Sequence, residues 1–257
     1  MLLSVLCDNR PAEGFSNEHG LSYLLEGSEP LLFDTGQSDV FLTNARKLNL
    51  DIESTHTIAL SHGHYDHIGG LEFLTNKKII CHPQTLDMHF KSNGSNIGST
   101  ENIYALKSRF EILTTKKPIN ITERIIFLGE IPRVLQFEHP GSDFTDEHGN
   151  ISYMPDDTGL AVIGDRSISI ISGCAHSGIC NIIEYAKEVT CINTIGTVIG
   201  GFHLRECDLR TEKTIQYLKN EDIKRIMPAH CTSDSVIECF RKELKCYSVR
   251  AGMQIDI

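Results

Sequence analysis

The sequence lacks an apolar run long enough to cross a membrane, since a spanning helix needs about 20 consecutive, mostly apolar residues. Its first apolar stretch, residues 1–6, is too short for a signal peptide, has no basic start and is followed by Asp8, Asn9 and Arg10. We therefore expect a cytoplasmic protein that does not insert into membranes.

Basic side chains are also in deficit, because 24 Lys and Arg stand against 34 Asp and Glu, giving a formal net charge of −10. Nucleic-acid binding needs clustered Lys and Arg to neutralise phosphates. The composition thus argues against DNA or RNA as a partner and leaves a small-molecule substrate as the expected one. The oligomeric state cannot be read from the sequence.

The nine cysteines include no pair with the C-x-x-C spacing of a structural zinc site, and they do not form the pattern of a small disulfide framework. In a cytoplasmic protein, most of them are expected to be reduced core thiols. The chain has 257 residues, 40% of them hydrophobic, which is enough for a sizeable core. No internal repeat or linker interrupts it, so we expect a single domain over residues 1–257.

What the sequence does contain is a dense group of potential metal ligands. His62, His64, Asp66 and His67 lie within six residues, directly after the apolar run 57–60. Imidazole is the commonest protein ligand for zinc and similar metals. Two glycines and a further apolar segment follow, so the pattern predicts a strand, a ligand-bearing loop and the start of a helix.

Histidines follow predicted strands again in the second half of the chain. The stretches are 167–171 followed by His176, 192–199 followed by His203, and 223–227 followed by His230. Strands side by side in one sheet would bring these histidines to one edge together with His62 and His64. Because ligands commonly bind at the loop-bearing edge of a sheet, the sequence predicts a histidine-lined metal site there.

The motif His62-x-His64-x-Asp66-His67 resembles the signature of the metallo-β-lactamase superfamily. Four further segments resemble the dihydropterin phosphate synthase-like branch of that superfamily, namely 18–22, 33–36, 173–178 and 200–203. The matches extend over nearly the whole chain, as far as His230. The resemblance implies an α/β (α+β) fold, the αββα four-layer sandwich, with a site for one or two metal ions at one edge.

The resemblance also implies a set of ligands. One ion would bind His62, His64 and His176, and a second ion would bind Asp66, His67 and His230. Zinc suits such ligands best, and manganese or iron also fits them. Asp66 would orient a metal-activated water and take its proton.

One position departs from the superfamily pattern. Two-metal members usually have a bridging aspartate between the third and the last histidine, whereas residues 200–203 are Gly-Gly-Phe-His. We therefore expect either a weak or absent second ion, or a catalytic His203 that faces the substrate as phosphate or oxyanion donor or as general acid. For His203 we favour this substrate-facing role over metal ligation.

Three further residues are candidates for substrate binding, and two of them have an alternative role outside the site. His19 lies in the first loop, where a solvent-exposed histidine is the alternative. His82 ends the strand predicted over 78–81. Cys174 precedes His176 by two residues and would point the same way in a regular strand, or it is a buried inert thiol. Asp34 is interpreted as a turn or capping carboxylate.

The least regular region is 90–118, which is polar and shows only a weak helical face around Tyr104, Leu106 and Phe110. A long connection of this kind is typical of a lid or substrate loop. His89, His139 and His148 are expected in solvent. Other expected elements are strands at 2–6, 21–25, 30–33, 125–128 and 159–163, a helix from Ser38 to Leu48 capped by Ser38, helices over 179–186 and 236–244, and a terminal strand within 247–257.

The function expected from this sequence is that of a metal-dependent hydrolase, or of a hydrolase-like transferase of the dihydropterin phosphate synthase type, acting on a small phosphorylated or ester substrate. Two alternatives remain open. One is a mononuclear iron oxygenase acting on thiol substrates, and the other is a non-catalytic metal or ligand sensor.

Overall fold

The structure is a computed structural model that describes residues 1–99, 103–138 and 142–257. The chain forms two compact units. Unit 1 comprises Met1–Lys116, Gly141–Asp156 and Arg250–Asp256, and unit 2 comprises Lys117–Pro140, Asp157–Val249 and Ile257. The expectation of one domain over residues 1–257 stays a prediction.

The described residues contain both strands and helices. The strands are β1 (Leu2–Cys7), β2 (Ser22–Leu25), β3 (Leu31–Phe33), β4 (Thr57–Ala59), β5 (Lys77–Cys81), β6 (Phe90–Lys91), β7 (Phe110–Thr114), β8 (Ile119–Asn120), β9 (Ile125–Phe127), β10 (Phe144–Thr145), β11 (Ile151–Ser152), β12 (Gly159–Ile163), β13 (Ile168–Ser172), β14 (Ile195–Gly201), β15 (Arg225–Ala229) and β16 (Gln254–Asp256). The α-helices are α1 (Val40–Lys47), α2 (Tyr65–Ile68), α3 (Ile103–Arg109), α4 (Ile179–Thr190), α5 (Leu209–Asn220) and α6 (Asp234–Glu243), and short 3-10 helices span Gly69–Phe73 and Gln136–Glu138.

Unit 1 is built on a seven-stranded sheet in the order β16-β1-β2-β3-β4-β5-β7. The strands from β16 to β3 pair antiparallel, and those from β3 to β7 pair parallel. The central strands β3 and β4 are short, mostly apolar and buried except for Thr57 at the start of β4, as expected for strands in parallel pairs. Because β3, β4 and β5 run in the same direction, the residues that follow them lie at one edge of this sheet.

Unit 2 is built on a six-stranded sheet in the order β15-β14-β13-β12-β9-β8. The hairpin β12-β13 turns around Gly164 and Asp165 as predicted, and β13, β14 and β15 pair parallel. A continuous apolar core packs α4, α5 and α6 with these strands. Since Ser172 pairs with Gly200 and Gly201 pairs with Ala229, the three parallel strands end at nearly the same level.

Several sequence predictions need correction. Helix α1 begins at Val40 with Asp39 in the N-cap position. The Ser38 hydroxyl, one residue earlier, accepts from the Val40 N–H at 3.4 Å and donates to Glu18 at 2.5 Å. Helix α5 was not predicted. Within 90–118, α3 coincides with the weak helical face around Tyr104 and Leu106, whereas β7 was not expected and forms because it pairs with β5 along its whole length. Residues 100–102 lie outside the described part, and the lid role of 90–118 stays a prediction.

The cysteines follow the prediction only in part. Four of the free ones, Cys7, Cys81, Cys174 and Cys180, are buried as expected. Cys207 and Cys239 form a disulfide. No helix in the described ranges combines the length and the apolar content of a membrane span.

Candidate metal centre

The first ligand group lies in unit 1, directly after β4. His62 and His67 are fully buried, and His64 and Asp66 are nearly so. His64 stands in extended conformation at the N-cap position of α2, which turns the chain back so that the rings of His62 and His67 lie 4.2 Å apart. The structure thus brings together the four residues of the predicted motif.

Within this group, Nε2 of His62 lies 3.0 Å from Nδ1 of His64. Two nitrogen ligands that are each about 2.1 Å from a tetrahedral zinc ion lie roughly 3.4 Å apart. The two ring nitrogens are therefore close to the spacing that a shared ion requires. The donor chemistry of this pair fits the implied metal.

A buried carboxylate braces the group. Asp34 follows β3 with a left-handed backbone (φ 57°). Its Oδ2 accepts from Nδ1 of His67 at 2.7 Å and from the Ser61 hydroxyl at 2.6 Å, and its Oδ1 accepts from the Ser61 N–H at 2.7 Å. With Nδ1 engaged, His67 presents Nε2 for a metal, an arrangement that is common around ligating histidines. Asp34 is thus more than the turn or capping carboxylate expected from the sequence; its place directly after β3, the neighbour of β4, is the signal that points to this role.

His19 does not lie free in solvent, although its side chain is 54% exposed. Its Nε2 lies 3.2 Å from Oδ2 of Asp66, and Nε2 of His67 lies 3.7 Å from the same oxygen. Glu18, the preceding residue, instead anchors its loop by accepting from the N–H groups of Gln37 and Ser38. The structure therefore places His19, but not the Glu18 carboxylate, beside the metal motif.

Two further histidines of unit 1 are buried. His82 follows β5, and its Nδ1 accepts from the Gln84 N–H at 3.2 Å, so this bond stabilises the turn that follows the strand. His89 was expected in solvent, but its ring is buried and lies 5.9 Å from that of His64. The expectation of solvent exposure rested on the polar segment around His89, and the structure shows it to be wrong. His148 is exposed, and His139 lies outside the described residues.

The second ligand group lies in unit 2, in the loops after β13, β14 and β15. His176 and His230 are buried, His203 is half-buried, and the rings of His176 and His203 lie 4.4 Å apart. A ring nitrogen of His176 and one of His230 each lie within 4.8 Å of the Cys174 sulfur. The structure thus brings all the predicted residues of unit 2 together, and Cys174 lies among the imidazoles.

Each of these three loops holds a non-glycine residue in left-handed conformation. These residues are Ala175 (φ 55°), His203 (φ 47°) and His230 (φ 48°). Such conformations cost of order 1–3 kcal/mol each and cluster at functional sites. The roles of the individual site residues, the identity of the metal and the number of ions remain predictions.

Comparisons with known proteins agree with this description. The family model of the Metallo-beta-lactamase superfamily matches residues 17–188. The chain is 34% identical over 247 residues to the uncharacterized protein MJ0448 of Methanocaldococcus jannaschii, covering 90% of each. It is 32% identical over 256 residues to the 7,8-dihydropterin-6-methyl-4-(beta-D-ribofuranosyl)-aminobenzene-5'-phosphate synthase of the same organism, covering 90% of this chain and 86% of that one.

A solved structure is similar over the full length of the chain. Tm1679, a metal-dependent hydrolase of the beta-lactamase superfamily, superposes with a TM-score of 0.90 at 30% identity, covering 100% of this chain and 99% of that one. The fold expected from the sequence is confirmed.

Proposed function

Because this chain belongs to the metallo-beta-lactamase superfamily, we propose that it is a metal-dependent hydrolase, or a hydrolase-like transferase, that acts on a small phosphorylated or ester substrate. The observation that carries the proposal is the buried pair of His62 Nε2 and His64 Nδ1, 3.0 Å apart. The similarity to a metal-dependent hydrolase of the same superfamily supports it.

The proposed ligands are those implied by the sequence resemblance. His62, His64 and His176 would hold one ion, and Asp66, His67 and His230 a second, with zinc favoured and manganese or iron also suited to the donors. A divalent ion in such a site supplies Lewis-acid chemistry, since it lowers the pKa of water and polarises a carbonyl or phosphoryl oxygen.

Asp66 is the proposed proton acceptor. Its carboxylate is nearly buried, and its Oδ2 lies within 3.2 Å of His19 Nε2. A carboxylate held in this way can orient an attacking water and take its proton, which the adjoining imidazole of His19 can pass to solvent because it is half exposed. His19 thereby gains a role in proton transfer beside the expected one in substrate binding.

His203 is the proposed general acid. Its ring lies against that of His176 and remains partly accessible. Such an imidazole can donate a proton to the leaving oxygen of an ester or phosphate. Cys174 and His82 stay candidates for substrate contacts.

The synthase reaction is the second candidate. It is favoured by the identity of 32% to the synthase of Methanocaldococcus jannaschii across 90% of this chain. A transferase of that kind would use the same metal and the same acid and base, with an acceptor molecule in place of water. The nature of the acceptor is what separates the two reactions.

Hydrolysis assays on purified protein test the proposal. Phosphate monoesters, phosphate diesters and carboxylic esters are offered with Zn²⁺, Mn²⁺ or Fe²⁺, and a pterin substrate is added for the synthase reaction. We expect His62→Ala to lose at least 100-fold in kcat/KM, since it removes a ligand, while the exposed His148→Ala keeps full activity.

Full activity in folded His62→Ala would refute the proposal. Bound iron with oxygen uptake in the presence of thiols would favour the oxygenase, and tight metal binding without turnover would favour the sensor.

A further inference from the structure

Two consecutive aspartates, Asp156 and Asp157, are 0% and 1% exposed. Acidic side chains are rarely buried unless they are paired or hydrogen-bonded. Each of these two bonds to the main chain of a loop that carries proposed metal ligands, Asp156 within unit 1 and Asp157 within unit 2. Neither was singled out by the sequence analysis.

Asp156 holds the segment between the first two ligands. Its Oδ2 accepts from the N–H of Gly63, which stands between His62 and His64, at 2.8 Å. Gly63 has no room for a side chain, because a Cβ would lie 2.2 Å from the carbonyl oxygen of Thr85 and 2.6 Å from His89 Nε2. The segment that joins the two imidazoles is therefore held both by the hydrogen bond to Asp156 and by close packing at Gly63.

Asp157 holds the loop of the third proposed ligand. Its Oδ2 accepts from both the N–H and the hydroxyl of Ser177, at 2.9 and 2.5 Å. Arg133 donates from Nη1 to the carbonyl oxygen of His176 at 2.8 Å. Burial raises the pKa of Asp157 in spite of these bonds. The loop that contains the left-handed Ala175 is thus held at several main-chain atoms.

We propose that Asp156 and Asp157 are positioning residues, Asp156 for the segment His62-Gly63-His64 and Asp157 for His176. The proposal rests on the proposed metal-dependent function. Ligands must be held to within about half an ångström of the productive geometry. Loss of a group that orients ligands typically costs 10- to 100-fold in metal affinity or activity.

Asparagine and alanine variants of both residues distinguish a positioning role from a role of the charge and from a purely structural role. Asparagine keeps an oxygen that can accept from a main-chain N–H but removes the charge, whereas alanine removes both. Asp165→Asn is the matched control, since Asp165 is exposed in the β12-β13 turn. Zn²⁺ affinity is measured by chelator competition, the absorption spectrum of bound Co²⁺ reports the coordination geometry, and thermal unfolding without metal reports the fold.

We expect Asp156→Ala and Asp157→Ala each to weaken Zn²⁺ binding by 10- to 100-fold and to alter the Co²⁺ spectrum, with the asparagine variants within about fivefold of wild type. If an alanine variant does not fold, Asp156→Glu and Ser177→Ala take its place. The longer side chain displaces the acceptor, and the missing hydroxyl removes one bond to Asp157, so both are expected to weaken Zn²⁺ binding.

Three other results would overturn the proposal. Asparagine variants that bind Zn²⁺ as weakly as the alanine variants would show that the charge of the carboxylate is what matters. A lower unfolding temperature with unchanged affinity and spectrum would show a purely structural role. Absence of Zn²⁺, Mn²⁺ and Fe²⁺ binding by the wild type would overturn the proposed function and this inference together, whereas unaltered binding by the variants would overturn this inference alone.

Discussion

Replacing Asp34 tests the network that braces the metal motif. The carboxylate is fully buried and accepts three hydrogen bonds, one from His67 and two from Ser61. Asp34→Ala removes all three and leaves the buried Ser61 N–H without its acceptor. Asp34→Asn tolerates the left-handed backbone and keeps an oxygen for that N–H, but its amide group cannot accept.

The magnitudes follow from these bonds. A hydrogen bond to a charged group contributes about 1.5–3 kcal/mol, and an unsatisfied buried donor costs about 1–3 kcal/mol. Because the three bonds share one carboxylate and are not additive, we expect Asp34→Ala to lose about 3–5 kcal/mol of the free energy of unfolding. Asp34→Asn should lose only about 1–2 kcal/mol, since the bond from the Ser61 N–H is kept and the new amide can donate to Nδ1 of His67.

The asparagine variant should affect the metal more than the fold. Its amide donates where the carboxylate accepted, which forces Nδ1 of His67 to become the acceptor and places the proton on Nε2. We expect Zn²⁺ affinity to fall by about 10- to 100-fold. Urea denaturation of the metal-free protein and chelator competition measure the two effects, and nitrogen NMR of the imidazoles reports the tautomer. An alanine variant within about 0.5 kcal/mol of wild type, or unchanged Zn²⁺ affinity in the asparagine variant, would refute the reasoning.

Three further predictions concern other parts of the chain. Gly63→Ala should lose metal binding, because the new Cβ would lie 2.2 Å from a carbonyl oxygen; elemental analysis of the folded variant checks this. Burial raises the pKa of Glu138 above its ordinary 4.5. The stability that is present at low pH is therefore lost as the pH rises from 4.5 through the raised value. Glu138→Gln should flatten this pH dependence of the free energy of unfolding, which urea titrations at several pH values measure. Lys77 donates from a buried Nζ to three carbonyl oxygens, so Lys77→Met should lose about 3–5 kcal/mol of stability without changing metal content. Full metal content in folded Gly63→Ala, an unaltered pH dependence in Glu138→Gln, or unchanged stability in Lys77→Met would contradict the corresponding prediction.

The ligand loops could be predicted from the sequence because their signal is local. An apolar stretch followed within a few residues by histidine is visible at His62, His176, His203 and His230, and parallel strands place their ends at one edge of a sheet. The superfamily resemblance added the prediction of which ligands would bind the same ion. Both steps need only short segments of sequence.

The bracing carboxylates could not be predicted because their partners are distant. Asp34 bonds a residue 27 positions later, Asp156 a residue 93 positions earlier and Asp157 a residue 20 positions later. No local pattern marks an aspartate that will be buried by such contacts. Strand β7 escaped prediction for the same reason, because its structure depends on pairing with β5.

The most direct test of the account is the metal content of the purified protein, measured by elemental analysis after growth with zinc, manganese and iron and removal of loosely bound ions. We expect one or two divalent ions per chain in the wild type and in His148→Ala, and a clear loss in His62→Ala. A wild-type protein without bound metal, or a folded His62→Ala variant that keeps the full content, would contradict it.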